Sequence, residues 1–144
     1  AVRKYPVDET TTAIMRFANG ALGTVNITDT AVAPWSWEQT SGENPAYPHT
    51  DQTCFYIGGT HGSLSVPRLE LWTNPDKRSW FEPFNVEQIV APPADPWRLQ
   101  IQQFARVIRG EEEPLVSGRE GLMTLKVIEA IHIAARTGQA VRVF

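Results

Sequence analysis

The chain has 144 residues, 42% of them hydrophobic and 20% charged, with a formal net charge of −3. Those figures fit one soluble globular domain with its own core, and the absence of any basic stripe argues against a nucleic-acid or anionic-membrane surface. No apolar run reaches the roughly 18–20 residues that cross a bilayer, the opening Ala1-Val2-Arg3-Lys4-Tyr5-Pro6 has no signal-peptide core, and the lone Cys54 has no internal disulfide partner, which suits a reducing cytoplasm.

Ala1–Tyr5 reads as the tail of a strand. Thr11–Phe17 then alternates, with Ala13, Met15 and Phe17 on one face and Thr12, Ile14 and Arg16 on the other. Asn19-Gly20 is the preferred pair for a two-residue type I′ turn, in which both positions need φ > 0. Leu22–Thr28 is expected to return antiparallel. Within it Asn26-Ile27-Thr28 matches a glycosylation sequon, which a strand position in a cytosolic protein makes a chance match. From Asp29 to His49 neither period appears. The segment carries Pro34, Pro45, Pro48, Gly42, Trp35, Trp37 and Tyr47, and a loop of that length inside a domain is usually functional or mobile.

Strands resume at Thr53–Ile57, where Phe55 and Ile57 oppose Cys54 and Tyr56. Gly58, Gly59 and Gly62 bracket a turn into Ser63–Val66, and Leu69–Thr73 gives another short strand. Beyond Asn74-Pro75-Asp76, weaker strand patterns occur at Ser79–Phe84 and Val86–Val90. Ala91-Pro92-Pro93-Ala94 is a stiff connector.

Two helices follow. Asp95 is an N-cap with Pro96 at the first helical position. Trp97, Ile101, Phe104, Ala105 and Ile108 then form one apolar stripe that stops at Arg109-Gly110. After the acidic turn Glu111-Glu112-Glu113-Pro114, Ser117-Gly118-Arg119-Glu120 is a capping box opening a helix that runs to about Thr137. That helix has two stripes: Met123, Val127, Ala130, Ile131 and Ala134, and beside them Leu122, Leu125, Ile128 and Ala135. So wide an apolar face is expected to be covered on more than one side. Gly138 closes the helix, and Ala140–Phe144 is expected as a final strand with Val141 and Val143 on one face. Strands first and helices last predict a single α+β domain over residues 1–144, an open and mostly antiparallel sheet with helices on one face.

Few residues carry chemistry. Gly58-Gly59-Thr60-His61-Gly62 resembles a phosphate cradle, but a dinucleotide site needs a strand before it and a helix after. Strands flank it here, so it reads as a hairpin. His49 and Asp51 are spaced to face one pocket as a base and its orienting carboxylate, or they are simply the end of a loop entering a strand. His61 reads as a solvated turn residue and His132 as a packed, hydrogen-bonded one. With the histidines scattered and no CxxC or HxxxH spacing, no metal site is expected. Trp35 and Trp37 either wall a small-molecule site or cover the edge of the sheet. The substrate-contact candidates are therefore Trp35, Trp37, His49 and Asp51.

Four segments resemble a known family. Val7–Gly23 is similar to the opening hairpin of the C-terminal domain of the glucose-fructose oxidoreductase/inositol dehydrogenase/MocA (Gfo/Idh/MocA) family. Tyr56–Leu64 resembles that family's internal GTxGsL hairpin. Pro114–Gly121 and Ala130–Gly138 resemble its terminal helix. The four occur in order and span nearly the whole chain. The resemblance implies a domain that packs beside an N-terminal Rossmann domain binding NAD or NADP, with a sugar, cyclitol or related alcohol between the two and one sheet face forming a homo-oligomer contact.

The family's Gly-rich fingerprint, its Glu-Lys-Pro lysine and its Asp/His proton-transfer helix would all lie before Ala1. No residue of this chain therefore inherits a catalytic or cofactor-binding role. Two function classes follow: the substrate-binding and oligomerisation half of an NAD(P)-dependent oxidoreductase, inactive as an isolated fragment, or a free-standing ligand-binding or assembly module of the same fold. The first predicts a coding sequence continuous upstream of Ala1, and the second a start codon just before it. Counting faces favours association in either case. Ala13, Met15 and Phe17 on one side of the hairpin, and Ile14 with Val25 or Ile27 on the other, leave more apolar surface than two helices on one face can cover.

Overall fold

The computed structural model describes residues 3–143. Among them the strands are β1 (Thr10–Arg16), β2 (Leu22–Thr28), β3 (Phe55–Gly58), β4 (Ser63–Val66), β5 (Glu70–Thr73) and β6 (Asn85–Gln88); the helices are α1 (Trp37–Ser41), α2 (Pro96–Ile108) and α3 (Gly118–Thr137). The class is α+β with antiparallel pairing throughout, and the strands divide into a two-stranded hairpin and a four-stranded meander in the order β3-β4-β5-β6. No helix among the described residues is long and apolar enough to cross a membrane. The chain forms two compact units, residues 1–31 with 102–144, and residues 32–101.

In the first unit, β1 and β2 pair from Thr10↔Thr28 to Arg16↔Leu22. Directly opposed residues share a face, so Val25 and Ile27 stand with Ala13 and Thr11, not with Ile14. The second face is consequently less apolar than the sequence suggested. It carries Ile14 and Leu22 among threonines, Asn26 and Arg16. The turn also differs from the expected type I′ form. Gly20 alone takes positive φ (89°); Gly20 N–H donates to Phe17 O and Phe17 N–H to Ala21 O, both at 2.9 Å. Asn19 keeps negative φ because its Oδ1 accepts from Ala21 N–H at 3.1 Å, a local side-chain bond that stands in for a backbone one.

Helix α3 begins as its sequence dictates. Ser117 Oγ accepts from Glu120 N–H, Glu120 Oε2 accepts from Ser117 N–H at 2.7 Å, and Gly138 ends the helix at φ 66°. Its first stripe is half-buried, whereas Leu122, Leu125 and Ile128 of the second are exposed. The acidic turn ahead of it is tied down by arginines of the preceding segment. Arg106 Nε lies 2.9 Å from Glu112 Oε2, and Arg109 grips both oxygens of Glu111. His132 is half-exposed, not packed, with Nδ1 3.7 Å from Asp8 Oδ2.

No strand forms at either end among the described residues. Lys4 turns the chain at φ 58°, which an extended strand excludes, and Arg3 N–H is taken by Glu9 Oε1 at 2.7 Å. Val141 and Val143 supply a face but find no ladder partner. Ala1 and Val2 of the expected first strand, and Phe144 of the last, lie outside the described residues.

In the second unit, β4 occupies the residues its pattern predicts. The neighbouring bounds shift by a residue or two, to Phe55–Gly58 and Glu70–Thr73. The pattern at Ser79–Phe84 yields no strand: Ser79 Oγ takes Phe81 N–H at 3.2 Å, a bond that competes with a ladder, and Pro83 has no donor. The strand expected at Val86–Val90 appears as β6, one residue earlier at its start and two at its end. The long segment after β2 is not irregular throughout. Ser36 caps the five-residue helix α1 and Gly42 ends it at φ 69°. Thr40 Oγ1 donates to Ser36 O at 2.9 Å, Thr50 N–H to Gln39 O at 2.8 Å and Thr50 Oγ1 to Pro34 O at 2.7 Å.

Among the described residues no apolar side chain is fully buried; the buried ones are polar, namely Glu9, Thr40, Thr53 and Ser65. The large side chains of the α2 stripe are exposed, Ile101 by 69% and Ile108 by 70%, and only Ala105 of the stripe is half-buried.

Candidate functional site

The meander presents two unlike faces. Its register aligns Tyr56, Ser65, Glu70 and Gln88 in one row and Gly58, Ser63, Trp72 and Val86 in the next, all on one side. Phe55, Ile57, Leu64, Val66 and Leu71 fall on the other. The first side mixes polar and aromatic groups and is hollow. A basin of about 540 Å³ opens over it, within the range of small-molecule sites, about 300–1,000 Å³.

Arg68 organises the basin. It sits in the β4–β5 turn, where Leu69 takes positive φ (57°) and the chain reverses so that Glu70 returns beside Ser65. The guanidinium spans two carboxylates, with Nη1 3.0 Å from Asp51 Oδ1 and Nη2 2.8 Å from Glu70 Oε1. Ser65 Oγ donates to Glu70 Oε2 at 3.3 Å. The hydrogen bond from Arg68 holds the Glu70 carboxyl below its ordinary range, against a smaller opposing effect of desolvation, and the same bond raises the Arg68 guanidinium. Arg68 and Glu70 are thus both charged at neutral pH. Trp72 flanks them, its ring meeting Phe84 edge-on at 6.2 Å, and Tyr56 stands 82% exposed at the margin.

The four residues singled out from sequence are divided by the structure. Asp51 lines the basin. Trp37 lies against the opposite face, 6.0 Å from the Phe55 ring, with Nε1 donating to Glu43 Oε2 at 3.0 Å. His49 packs on α1, its Nε2 3.2 Å from Thr40 O and its ring beside Gly42. Trp35 is exposed on the same segment. His49 and Asp51 are therefore not a base with its orienting carboxylate, because each is engaged by a different partner. Sequence reasoning missed Arg68, Glu70, Ser65 and Trp72. The signal was available in the alternation of Glu70-Leu71-Trp72, which sends a carboxylate and an indole to one face.

The glycine-rich turn between β3 and β4 does not fit a dinucleotide. Gly59 N–H donates to Gly62 O at 2.8 Å, closing a hairpin between antiparallel strands with no helix N-terminus behind it. No group of three or more His, Cys, Asp or Glu able to hold a metal occurs among the described residues.

Searches of curated proteins and of solved structures return no match. The family model described as "Oxidoreductase family, C-terminal alpha/beta domain" matches residues 1–143. With that match over essentially its whole length, and with the antiparallel α+β architecture described above, the chain belongs to the Gfo/Idh/MocA oxidoreductase family as its C-terminal domain.

Proposed function

We propose that this chain is the substrate-binding and oligomerisation domain of an NAD(P)-dependent oxidoreductase acting on a sugar, cyclitol or related alcohol. The carrying observation is the family match over residues 1–143. The cofactor is assigned to a Rossmann domain of the same polypeptide, because the only glycine-rich turn among the described residues closes a hairpin. Of the four candidates, Asp51 is assigned to substrate through the basin it lines, and Trp35, Trp37 and His49 are assigned to a separate contact surface on the α1 segment. The exposed indole of Trp35 is the kind of rigid apolar wall that such sites use.

This reading makes two measurable demands. Calorimetric titration of the chain alone with millimolar NAD or NADP should give no saturable heat, and a micromolar dissociation constant would overturn the assignment of the cofactor. In the intact polypeptide, Trp35→Ala should raise KM or lower kcat while the far-UV spectrum stays unchanged. Unaltered kinetics would remove Trp35 from the site.

A further inference from the structure

We infer that the basin over the β3–β6 meander accepts an uncharged, polyhydroxylated ring, a neutral sugar or cyclitol, and excludes its acidic and phosphorylated counterparts. The inference rests on the substrate-binding reading above and narrows it.

Charge decides the point. Of the residues lining the basin, Arg68 is the one cation, and Asp51 and Glu70 are the two carboxylates. The guanidinium is already engaged on both sides, at 3.0 Å and 2.8 Å. An incoming carboxylate or phosphate would have to displace one of those partners and then lie beside it, a like-charge contact in a partly enclosed site. Arginine alone is the usual anchor for such anions. Here it is neutralised in advance, and the lining carries a formal charge of −1.

A neutral polyol meets no such conflict. An ionised carboxylate offers about four acceptor positions and a guanidinium five donors, more than the internal bonds here occupy. A pair of neighbouring hydroxyls can donate to a carboxylate oxygen and accept from a guanidinium N–H. Hydrogen bonds to charged groups are the stronger kind. The Trp72 ring, steadied by Phe84 at 6.2 Å, supplies a flat apolar surface for the C–H side of a sugar ring, and the Tyr56 phenol adds a polar tip at the edge. Glu70, held by both Arg68 and Ser65, keeps its orientation before any ligand arrives, which lowers the ordering cost of binding.

Nitrogen-15 NMR titration of the full chain tests this with four probes: glucose, myo-inositol, glucuronate and glucose 6-phosphate. Glucose or myo-inositol should move the amide signals of Ser65 and Glu70 and the indole signal of Trp72. Glucuronate and glucose 6-phosphate should leave them in place at the same concentration. Glu70→Gln should weaken the neutral probe about tenfold, the loss of one hydrogen bond to a charged group. Asp51→Asn, at a side chain 82% exposed, gives the same reading if Glu70→Gln does not fold. The double variant frees Arg68 and should turn the preference toward the anions.

Binding of either anion at these signals as tightly as glucose overturns the inference, and so does a basin that answers to none of the four probes. The two readings fail separately. An intact polypeptide that oxidises polyols while this basin stays silent leaves the domain assignment standing and removes the basin. One that oxidises none removes the assignment, while the basin's selectivity is still read from the four probes.

Discussion

Gly62 opens β4 at a point where the adjacent strand leaves no room. A methyl group there would meet Trp72 O at 2.9 Å and Thr73 Cγ2 at 3.1 Å. Trp72 O belongs to a ladder-bonded backbone and cannot swing aside as a side chain would, so Gly62→Ala must push β4 away from β5. Such forced shifts cost about 1–3 kcal/mol, and they would disturb the pairing Ser63↔Trp72 that floors the basin. Gly118 is the matched control, with nothing within 4 Å of its added methyl and a helical backbone that alanine prefers by up to about 1 kcal/mol. Urea unfolding should therefore show a lowered midpoint for Gly62→Ala and an unchanged or raised one for Gly118→Ala. Equal midpoints would mean that the β4–β5 contact yields more easily than a backbone carbonyl should.

At the level of elements, what the sequence made legible was what short-range chemistry decides. The capping box at Ser117-Gly118-Arg119-Glu120, the αL glycine at Gly138 and the strand Ser63–Val66 all follow from neighbours within a few residues, and all stand where those residues put them. The family itself was legible for a related reason, since four short segments in order carry it. Elements that depend on a distant partner were not. Val141 and Val143 alternate without a ladder to join, and Val25 and Ile27 took their face from a register set by the wider Phe17–Ala21 turn. The helix α1 was hidden by the prolines around it, Pro34, Pro45 and Pro48, although Ser36 and Gly42 are an ordinary cap and stop. The basin was invisible because its charges meet across strands.

The capping box also gives a pH dependence with a definite sign. Hydrogen bonding from the Ser117 backbone N–H holds the Glu120 carboxyl below its usual range. A carboxyl lowered on folding stabilises the helix above its unfolded value, and that contribution is lost as pH falls through the folded one. Helicity followed by circular dichroism from pH 7 to 3 should therefore decline in acid. Glu120→Gln, which can still cap but cannot ionise, should flatten that part of the decline. Ser117→Ala should cost about 1 kcal/mol at neutral pH. An acid profile unaffected by Glu120→Gln would place the pH dependence elsewhere, with Glu70 and Glu112, both held low by arginines, the next groups to test.

For the whole molecule, the exposed apolar surface makes self-association the expected state in solution. Ile14 stands 81% exposed and Leu22 72% exposed on the second face of the hairpin, and the stripes of α2 and α3 add Ile101, Phe104, Leu122 and Leu125. Monomers rarely leave so much uncovered. The hairpin face is suited to a second copy because most of its hydroxyls are paired internally, with Thr24 and Arg16 the polar groups left for water or the partner. Thr10 bonds Thr28 at 2.9 Å, Thr12 donates to Asn26 Oδ1 at 2.8 Å, and Thr30 joins at 3.2 Å from Thr28. Hydroxyls paired internally lose little when water leaves them, and Ile14 and Leu22 project beside them as the apolar contacts. A two-fold arrangement would set each copy's ladder against the other's, and a specific contact would bury about 1,600 Å² in total. Sedimentation at micromolar concentration should give a species of at least twice the 16.1 kDa chain mass. Ile14→Lys should shift it toward the single chain without changing the far-UV spectrum, because a side chain that exposed contributes little to the fold of one copy. A species at the chain mass that persists on concentration would refute association outright. An Ile14→Lys variant that remains associated would move the contact from the hairpin to the apolar faces of α2 and α3.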